Sequence, residues 1–214
     1  MIYKGISSQA LRRLPVYLRL LKALPEAGET GGANISATMI AHELKLNDVQ
    51  VRKDLALVSQ GGRPRTGYEI KRLIADIEHC LGYDNADSAV IVGAGNLGLA
   101  LLSYEGFEEY GLDIVAAFDR RESRLGSVRS GKQIYALEKL PGLCSRMKIN
   151  IGIITVEAEE AQSTCDLLVE SGVSAVWNFA PVHLTVPEHV LVQNENLAGS
   201  LAVLSKQLAK KLTI

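Results

Sequence analysis

Apolar residues recur along this chain at two different spacings, and the change of period falls near residue 88. Before it the spacing is helical. Leu11, Leu14, Leu18 and Leu21 share one stripe, with Ser7 or Ser8 as candidate caps. Pro15 interrupts that stripe, so the helix either starts near Arg13 or is kinked. Pro25 to Asn34 is rich in Gly and Glu and reads as a loop. Ser36 is placed to cap a helix over Ala37 to Leu44, and a turn at Lys45 to Asn47 leads to a second helix, capped by Asp48 and running Val49 to Val58. Two short helices joined this way form a helix-turn-helix or a plain helical hairpin. Glu69 to Leu81 is a further amphipathic helix, with Ile70, Leu73, Ile74 and Ile77 apolar. Gly82 to Ser88 is short and polar, a candidate boundary.

From Ala89 onward strand-like and helix-like runs alternate. Ala89–Val92, Asp113–Phe118, Ile149–Thr155, Ala175–Phe179 and Val190–Gln193 read as strands. Leu97–Tyr104, Glu157–Glu170 and Glu195–Leu212 read as helices, and Arg120–Lys132 as a charged loop. Such alternation indicates a parallel, doubly wound sheet. In the last helix Leu197, Leu201, Leu204 and Leu208 form a stripe too apolar to stand in water. It either packs on its own sheet or exchanges with a second subunit.

The first of these strands runs into Gly93-Ala94-Gly95-Asn96-Leu97-Gly98, and the second ends in Asp119, 21 residues beyond Gly98. Strand, G-x-G-x-x-G, helix, strand and acid in that order are the dinucleotide-binding fingerprint. Gly93 permits the tight turn, Gly95 lets backbone approach a pyrophosphate, and Gly98 lets helix pack on strand. The pyrophosphate sits where free N–H groups point outward, and Asp119 is placed to accept from a ribose 2′-hydroxyl. Arg120 and Arg121 follow and could receive a 2′-phosphate, but the acid would repel it, which favours NAD(H) over NADP(H). Thr155-Val156 follows a strand end where such sites commonly pass the cofactor.

In a helix-turn-helix the second helix enters the major groove. Gln50, Arg52 and Lys53 lie in its first two turns; Gln pairs with adenine and Arg with guanine. Val51, Leu55 and Val58 face the domain, and Asp54 is assigned an orienting role toward Arg52. The Gly/Pro turn Ser59 to Tyr68 carries Arg63 and Arg65 where a winged helix places a β-hairpin, whose basic tip can enter a narrow minor groove.

Charge supports the division. Residues 1–82 carry a net +4 and the remainder −5, so a polyanion partner is expected for the first part only. Cys80, Cys144 and Cys165 are widely spaced and read as small apolar residues, and with His42, His79, His183 and His189 they show no metal-ligand spacing. No apolar run reaches the length of a membrane span, and Met1–Gly5 lacks the apolar core of a signal peptide. A soluble cytoplasmic protein is the expectation.

The whole combination resembles the Rex family of redox-sensing transcriptional repressors. The matching pieces are Arg13-Leu14, Tyr17-Leu18-Arg19, Gln50-Val51-Arg52-Lys53-Asp54-Leu55, Gly67-Tyr68, the glycine turn, and Asn178-Phe179-Ala180-Pro181-Val182. The resemblance implies an α/β protein with a winged helix-turn-helix DNA-binding domain over residues 1–83, a Rossmann-like NAD(H)-binding domain over 84–194, and a domain-swapped dimerisation helix over 195–214. It implies a homodimer that binds an inverted-repeat operator and is released by NADH. Gln50, Arg52, Lys53, Arg63, Arg65 and Tyr68 would face DNA. Tyr104, Phe179, Ala180, Pro181 and the partner subunit's Leu197 would form an apolar nicotinamide end that disfavours the charged oxidised ring by desolvation. Arg19 and Asn196 would form the switch contact.

The chain departs from the family in having Asn196 where an aspartate usually pairs with the arginine corresponding to Arg19. Its wing, Leu57-Val58-Ser59 and Pro64-Arg65-Thr66-Gly67-Tyr68, also differs from the usual Tyr-Phe-Gly and Arg-Gly-x-Gly-Tyr. Two rival readings remain at this stage: an NAD-dependent oxidoreductase with His183 or Lys148 as acid/base, and a nucleotide-binding relative that has lost DNA binding. His183 reads better as a structural or pocket-edge residue.

Overall fold

The computed structural model describes residues 6–24, 34–84, 87–128 and 130–212, except the side chains of Leu197 and Leu212. They fall into two compact units, Met1–Asn85 and Ala86–Ile214.

In the first unit α1 spans Ser8–Ala23, with the Ser7 hydroxyl accepting from the Ala10 N–H at 3.2 Å. The helix therefore begins well before Arg13, and Pro15 lies inside it. Its missing N–H deprives the Leu11 carbonyl, four residues earlier, of its usual helical donor. The stripe also differs from expectation: Ala10, Leu14, Tyr17, Leu18 and Leu21 are buried, while Leu11 is exposed. Of the loop expected over Pro25–Asn34, residues 25–33 lie outside the described residues, and Asn34 opens strand β1 (Asn34–Ile35).

Helix α2 (Ala37–Leu44) is capped by Ser36 and ends at Lys45 in a left-handed conformation. Helix α3 (Asp48–Val58) is capped by Asn47, not Asp48, its side chain accepting from the Gln50 N–H at 3.1 Å. Asp48 is instead the first helical residue, where its charge suits the helix dipole. After α3, strand β2 (Tyr68–Glu69) pairs antiparallel with β1, Ile35 opposite Tyr68. The Arg/Gly segment before it closes through one antiparallel bridge, Arg63 and Gly67 exchanging two hydrogen bonds of 2.9 Å. Arg65 at its tip has φ 68°. Helix α4 (Ile70–Leu81) buries Leu73 and Ile77 and stops at Gly82. Leu14, Tyr17, Ile35, Ile40, Val51 and Leu55 complete the core.

The second unit is a seven-stranded sheet. Its strands are β3 (Asp87–Val92), β4 (Leu112–Asp119), β5 (Gly126–Ser127), β6 (Gln133–Ala136), β7 (Ile151–Ile154), β8 (Ala175–Asn178) and β9 (Leu191–Asn194). The order is β5-β6-β4-β3-β7-β8-β9, parallel throughout except for β5 against β6. Successive residues of β3 serve opposite faces. Ala89 and Ile91 pack with α5 (Asn96–Leu102), while Val90 and Val92 pack with α6 (Leu140–Met147) and α7 (Ala158–Glu170). Burial on both faces explains why β3 is apolar at every position from Ala89 to Val92 instead of alternating. Strands β5 and β6 and helix α6 lie where no regular element was expected.

The terminal helix α8 (Leu197–Leu212) keeps Leu201, Leu204 and Leu208 54–63 % exposed. Of the two expectations for this stripe, packing on its own sheet does not occur for these three leucines. No helix among the described residues is long and apolar enough to cross a membrane, and no group of three or more metal-ligating side chains gathers there.

Candidate functional site

The sheet order turns in opposite directions from β3: the chain crosses to β4 on one side and to β7 on the other. Ligands of doubly wound sheets bind at the carboxyl ends of the strands at that reversal. There the chain opens a cleft of about 530 Å³. Gly93, Gly95, Asn96 and Leu97 line one wall, Thr155 and Val156 another, and Asp119, Arg120, Arg121 and Arg124 a third.

The three glycines do separate things. Gly93 has φ 107°, and a Cβ there would stand 2.8 Å from the Thr155 carbonyl oxygen. A Cβ on Gly98 would run into the Gly93 carbonyl oxygen. Both glycines are required by the protein's own packing. A Cβ on Gly95 would meet only the Arg124 guanidinium, at 3.8 Å, and otherwise points into the open cleft. The fold itself does not demand that glycine, and its absent side chain leaves the backbone open to close approach from the cleft. Thr155 holds the turn from across the sheet, its hydroxyl donating to the Gly93 carbonyl at 2.7 Å.

Asp119 lines the cleft but is used differently from expectation. One carboxylate oxygen accepts from the Ala94 N–H at 2.8 Å and the Arg124 guanidinium at 2.9 Å, and the other from the Arg121 N–H at 2.8 Å. Burial works to raise its pKa, but the Arg121 N–H, the Arg124 guanidinium and the Ala94 N–H outweigh it and hold the carboxyl below its ordinary range. Of about four lone pairs on a carboxylate, three are engaged, so at most one remains for a ribose hydroxyl. Asp119 is first a brace for the glycine turn. Ala94 is buried and gives its N–H to that brace instead of a ligand. Arg120 is drawn to Glu160 at 3.0 Å. Arg124 was not foreseen; the only hint in sequence is a third arginine shortly after Asp119.

Tyr104 and Phe179 do not line this cleft. They end a row of rings in which Tyr104 meets Phe107 edge-on at 4.9 Å, Phe107 meets Trp177 at 5.8 Å, and Trp177 meets Phe179 at 5.0 Å. The Phe179–Pro181 turn is shaped by fully buried Asn178, whose amide donates to the Val182 carbonyl at 2.9 Å and whose oxygen accepts from the Ala180 N–H at 3.0 Å. Ala180 is buried and Pro181 exposed, and the Leu197 side chain lies outside the described residues. Trp177 donates to the Glu195 carboxylate at 2.9 Å, just ahead of α8.

In the first unit Gln50, Arg52 and Lys53 are exposed on α3, and Arg63 and Arg65 on the turn after it. Two assignments change. Tyr68 is buried, its ring filling the space beside Gly62, so it supports the turn from beneath and does not face outward. Asp54 does not orient Arg52, which pairs with Asp48 at 3.3 Å. It binds the Arg13 guanidinium at 2.7 and 2.9 Å, the Tyr17 hydroxyl at 2.8 Å and the Gln50 amide at 2.9 Å. Burial, together with Asp54, pushes the Tyr17 hydroxyl up to about 12. Of the expected switch pair, Arg19 is exposed on α1, and the Asn196 side chain accepts from the Gly199 N–H as a cap for α8.

A family model described as a CoA binding domain matches residues 84–182, and one described as "Putative DNA-binding protein N-terminus" matches residues 5–56. Two proteins named redox-sensing transcriptional repressor Rex are 40 % identical to the chain: that of Treponema denticola over 96 % of this chain and 96 % of its own, and that of Bacteroides fragilis over 95 % and 91 %. The chain belongs to the Rex family. Among solved structures it matches RSP, a Rex-family repressor, with a TM-score of 0.83 at 32 % identity over 97 % of this chain and 96 % of RSP. RSP in complex with β-NAD⁺ and operator DNA matches at the same TM-score and 34 % identity, over 98 % of both chains. The Rex pattern thus accounts for an open glycine turn and an exposed helix-turn-helix in one polypeptide.

Proposed function

We propose that this chain is a redox-sensing transcriptional repressor that binds operator DNA through its first unit and releases it when NADH occupies the second. The observation that carries this reading is Gly95, a glycine no packing contact requires, open to a cleft in a chain that also exposes a recognition helix. The backbone at Gly95, Asn96 and Leu97 would hold the pyrophosphate of NADH or NAD⁺, with Thr155 and Val156 opposite and Asp119, Arg120 and Arg124 toward the adenosine. The dinucleotide supplies a ring that is positively charged only when oxidised, and apolar surroundings at Tyr104, Phe179, Ala180, Pro181 and the partner's Leu197 would favour the neutral form.

The chain functions as a homodimer, with residues 195–214 exchanged between subunits, residues 1–83 binding DNA and residues 84–194 binding the nucleotide. The exposed leucines of α8 support the exchange. Arg19 and Asn196 would take part in the switch. As a regulator of transcription it acts in the cytoplasm and catalyses no turnover. A tenfold change in operator occupancy needs only about 1.4 kcal/mol of differential binding between the two states.

The test is fluorescence anisotropy of a labelled inverted-repeat duplex at fixed salt, without nucleotide, with NADH and with NAD⁺. Tight binding that NADH abolishes and NAD⁺ spares is expected. Binding indifferent to both nucleotides would remove the redox switch, and no binding to any member of a randomised duplex pool would remove the repressor reading.

A further inference from the structure

Among the described residues of the first unit one carboxylate is buried, Asp54, 2 % exposed, between α1 and α3. It receives four donors: Arg13 Nε and the Tyr17 hydroxyl on Oδ2, Arg13 Nη2 and Gln50 Nε2 on Oδ1. A carboxylate offers about four lone pairs, so all are taken. The two-pronged guanidinium contact keeps it ionised and without a proton to give.

Gln50 lies one helical turn before Asp54, on the exposed surface of α3. A carboxamide has two faces of opposite polarity, and an isolated exposed Gln turns freely between them. Here one orientation sets Nε2 2.9 Å from an ionised oxygen; the flipped one would set Oε1 there, acceptor against acceptor.

We infer that Asp54 is a positioning residue that fixes the polarity of Gln50, so that α3 presents the Gln50 carbonyl oxygen, an acceptor, to the major groove. This rests on the reading that α3 enters operator DNA. In the major groove adenine and cytosine offer amino donors, whereas guanine and thymine offer acceptors at O6, N7 and O4. Gln50 therefore selects an adenine or cytosine edge, and adenine best, because its second amide hydrogen is free for N7. Arg13 and Tyr17 reach DNA specificity only through Asp54. Arg52, paired with Asp48, is not part of the relay.

The experiment uses the full chain and the duplex that wild type selects from a randomised pool, with each base pair then replaced singly and binding read by anisotropy. Gln50→Ala, an exposed change that leaves the core intact, locates the pair that Gln50 reads. That pair is expected to present adenine or cytosine, with about tenfold loss in wild type when it is exchanged for guanine or thymine. Asp54→Asn is expected to bind but to flatten this preference to about twofold, and adding Gln50→Ala to it to flatten nothing further. A guanine or thymine edge at the Gln50 position overturns the inference, as does an Asp54→Asn protein that weakens every duplex equally. If wild type selects no duplex, the operator reading falls as well, so the two failures are distinct.

Discussion

The Asp119 carboxylate and the Ala94 amide meet at 2.8 Å across the carboxyl end of the sheet, joining the end of β4 to the middle of the glycine turn. The acid of the fingerprint is thereby built into the turn whose ligand it was expected to touch. Asp119→Asn removes the ion pair with Arg124 and weakens two backbone contacts, which costs about 1.5–3 kcal/mol on the scale of charge-assisted hydrogen bonds. Because the folded pKa is depressed, this contribution is present above the unfolded value of about 4 and is lost as pH falls through the lower folded value. Urea midpoints between neutral pH and pH 3 are expected to fall steeply for wild type and to be flatter for the variant. Equal slopes would show that the brace does not bear on stability.

Gly95 and Gly98 separate ligand binding from folding. Gly95 has φ −76°, available to any residue, and its Cβ would enter open space. Gly95→Ala is expected to change stability by less than about 0.5 kcal/mol and to weaken NADH by about tenfold or more, the equivalent of 1.4 kcal/mol. Gly98→Ala presses on the Gly93 carbonyl and is expected to cost about 1–3 kcal/mol of stability. Paired thermal melts and NADH titrations check both, and a Gly95→Ala protein that binds NADH normally would take the pyrophosphate away from this turn.

Much of the nucleotide unit is legible in sequence because β3 is buried on both faces and followed by three glycines, a pattern with few other uses. Strands β5 and β6 were missed because Arg120–Lys132 is charged and Gln133–Ala136 lies at the sheet's margin, where apolar runs are short. Pro15 does not delay the start of α1 to Arg13, because tertiary burial of Leu14, Tyr17 and Leu18 outweighs one absent hydrogen bond. The partners of Asp54 and Asp119 were illegible for a different reason. Arg13 lies 41 residues from Asp54, and Ala94 lies 25 from Asp119, and no local period encodes such contacts.

Trp177, the chain's single tryptophan, stands between Phe107 and Phe179 in the ring row that the nicotinamide is proposed to approach. NADH absorbs where indole emits, so NADH is expected to quench Trp177 emission, and NAD⁺ to do so far less. Trp177→Phe should abolish the signal while conserving the ring contacts, and it also removes the donor to Glu195. An emission spectrum unmoved by saturating NADH would place the reduced ring elsewhere.

The α8 stripe leads to the last expectation. Leu201, Leu204 and Leu208 recur at helical spacing and remain more than half exposed. Water around three aligned leucines is costly, and burying each against a second subunit contributes about 1.5–3 kcal/mol. Leu204→Glu deletes one such contribution and sets a charge in the seam, so self-association should weaken by at least about tenfold. Sedimentation velocity over a concentration series reads this directly. Weakened association in Leu204→Glu, with NADH binding to the isolated subunit retained in part, would tie the dimer to this helix. A wild type that stays monomeric at every concentration would leave the stripe unexplained by exchange and remove the dimer from the mechanism.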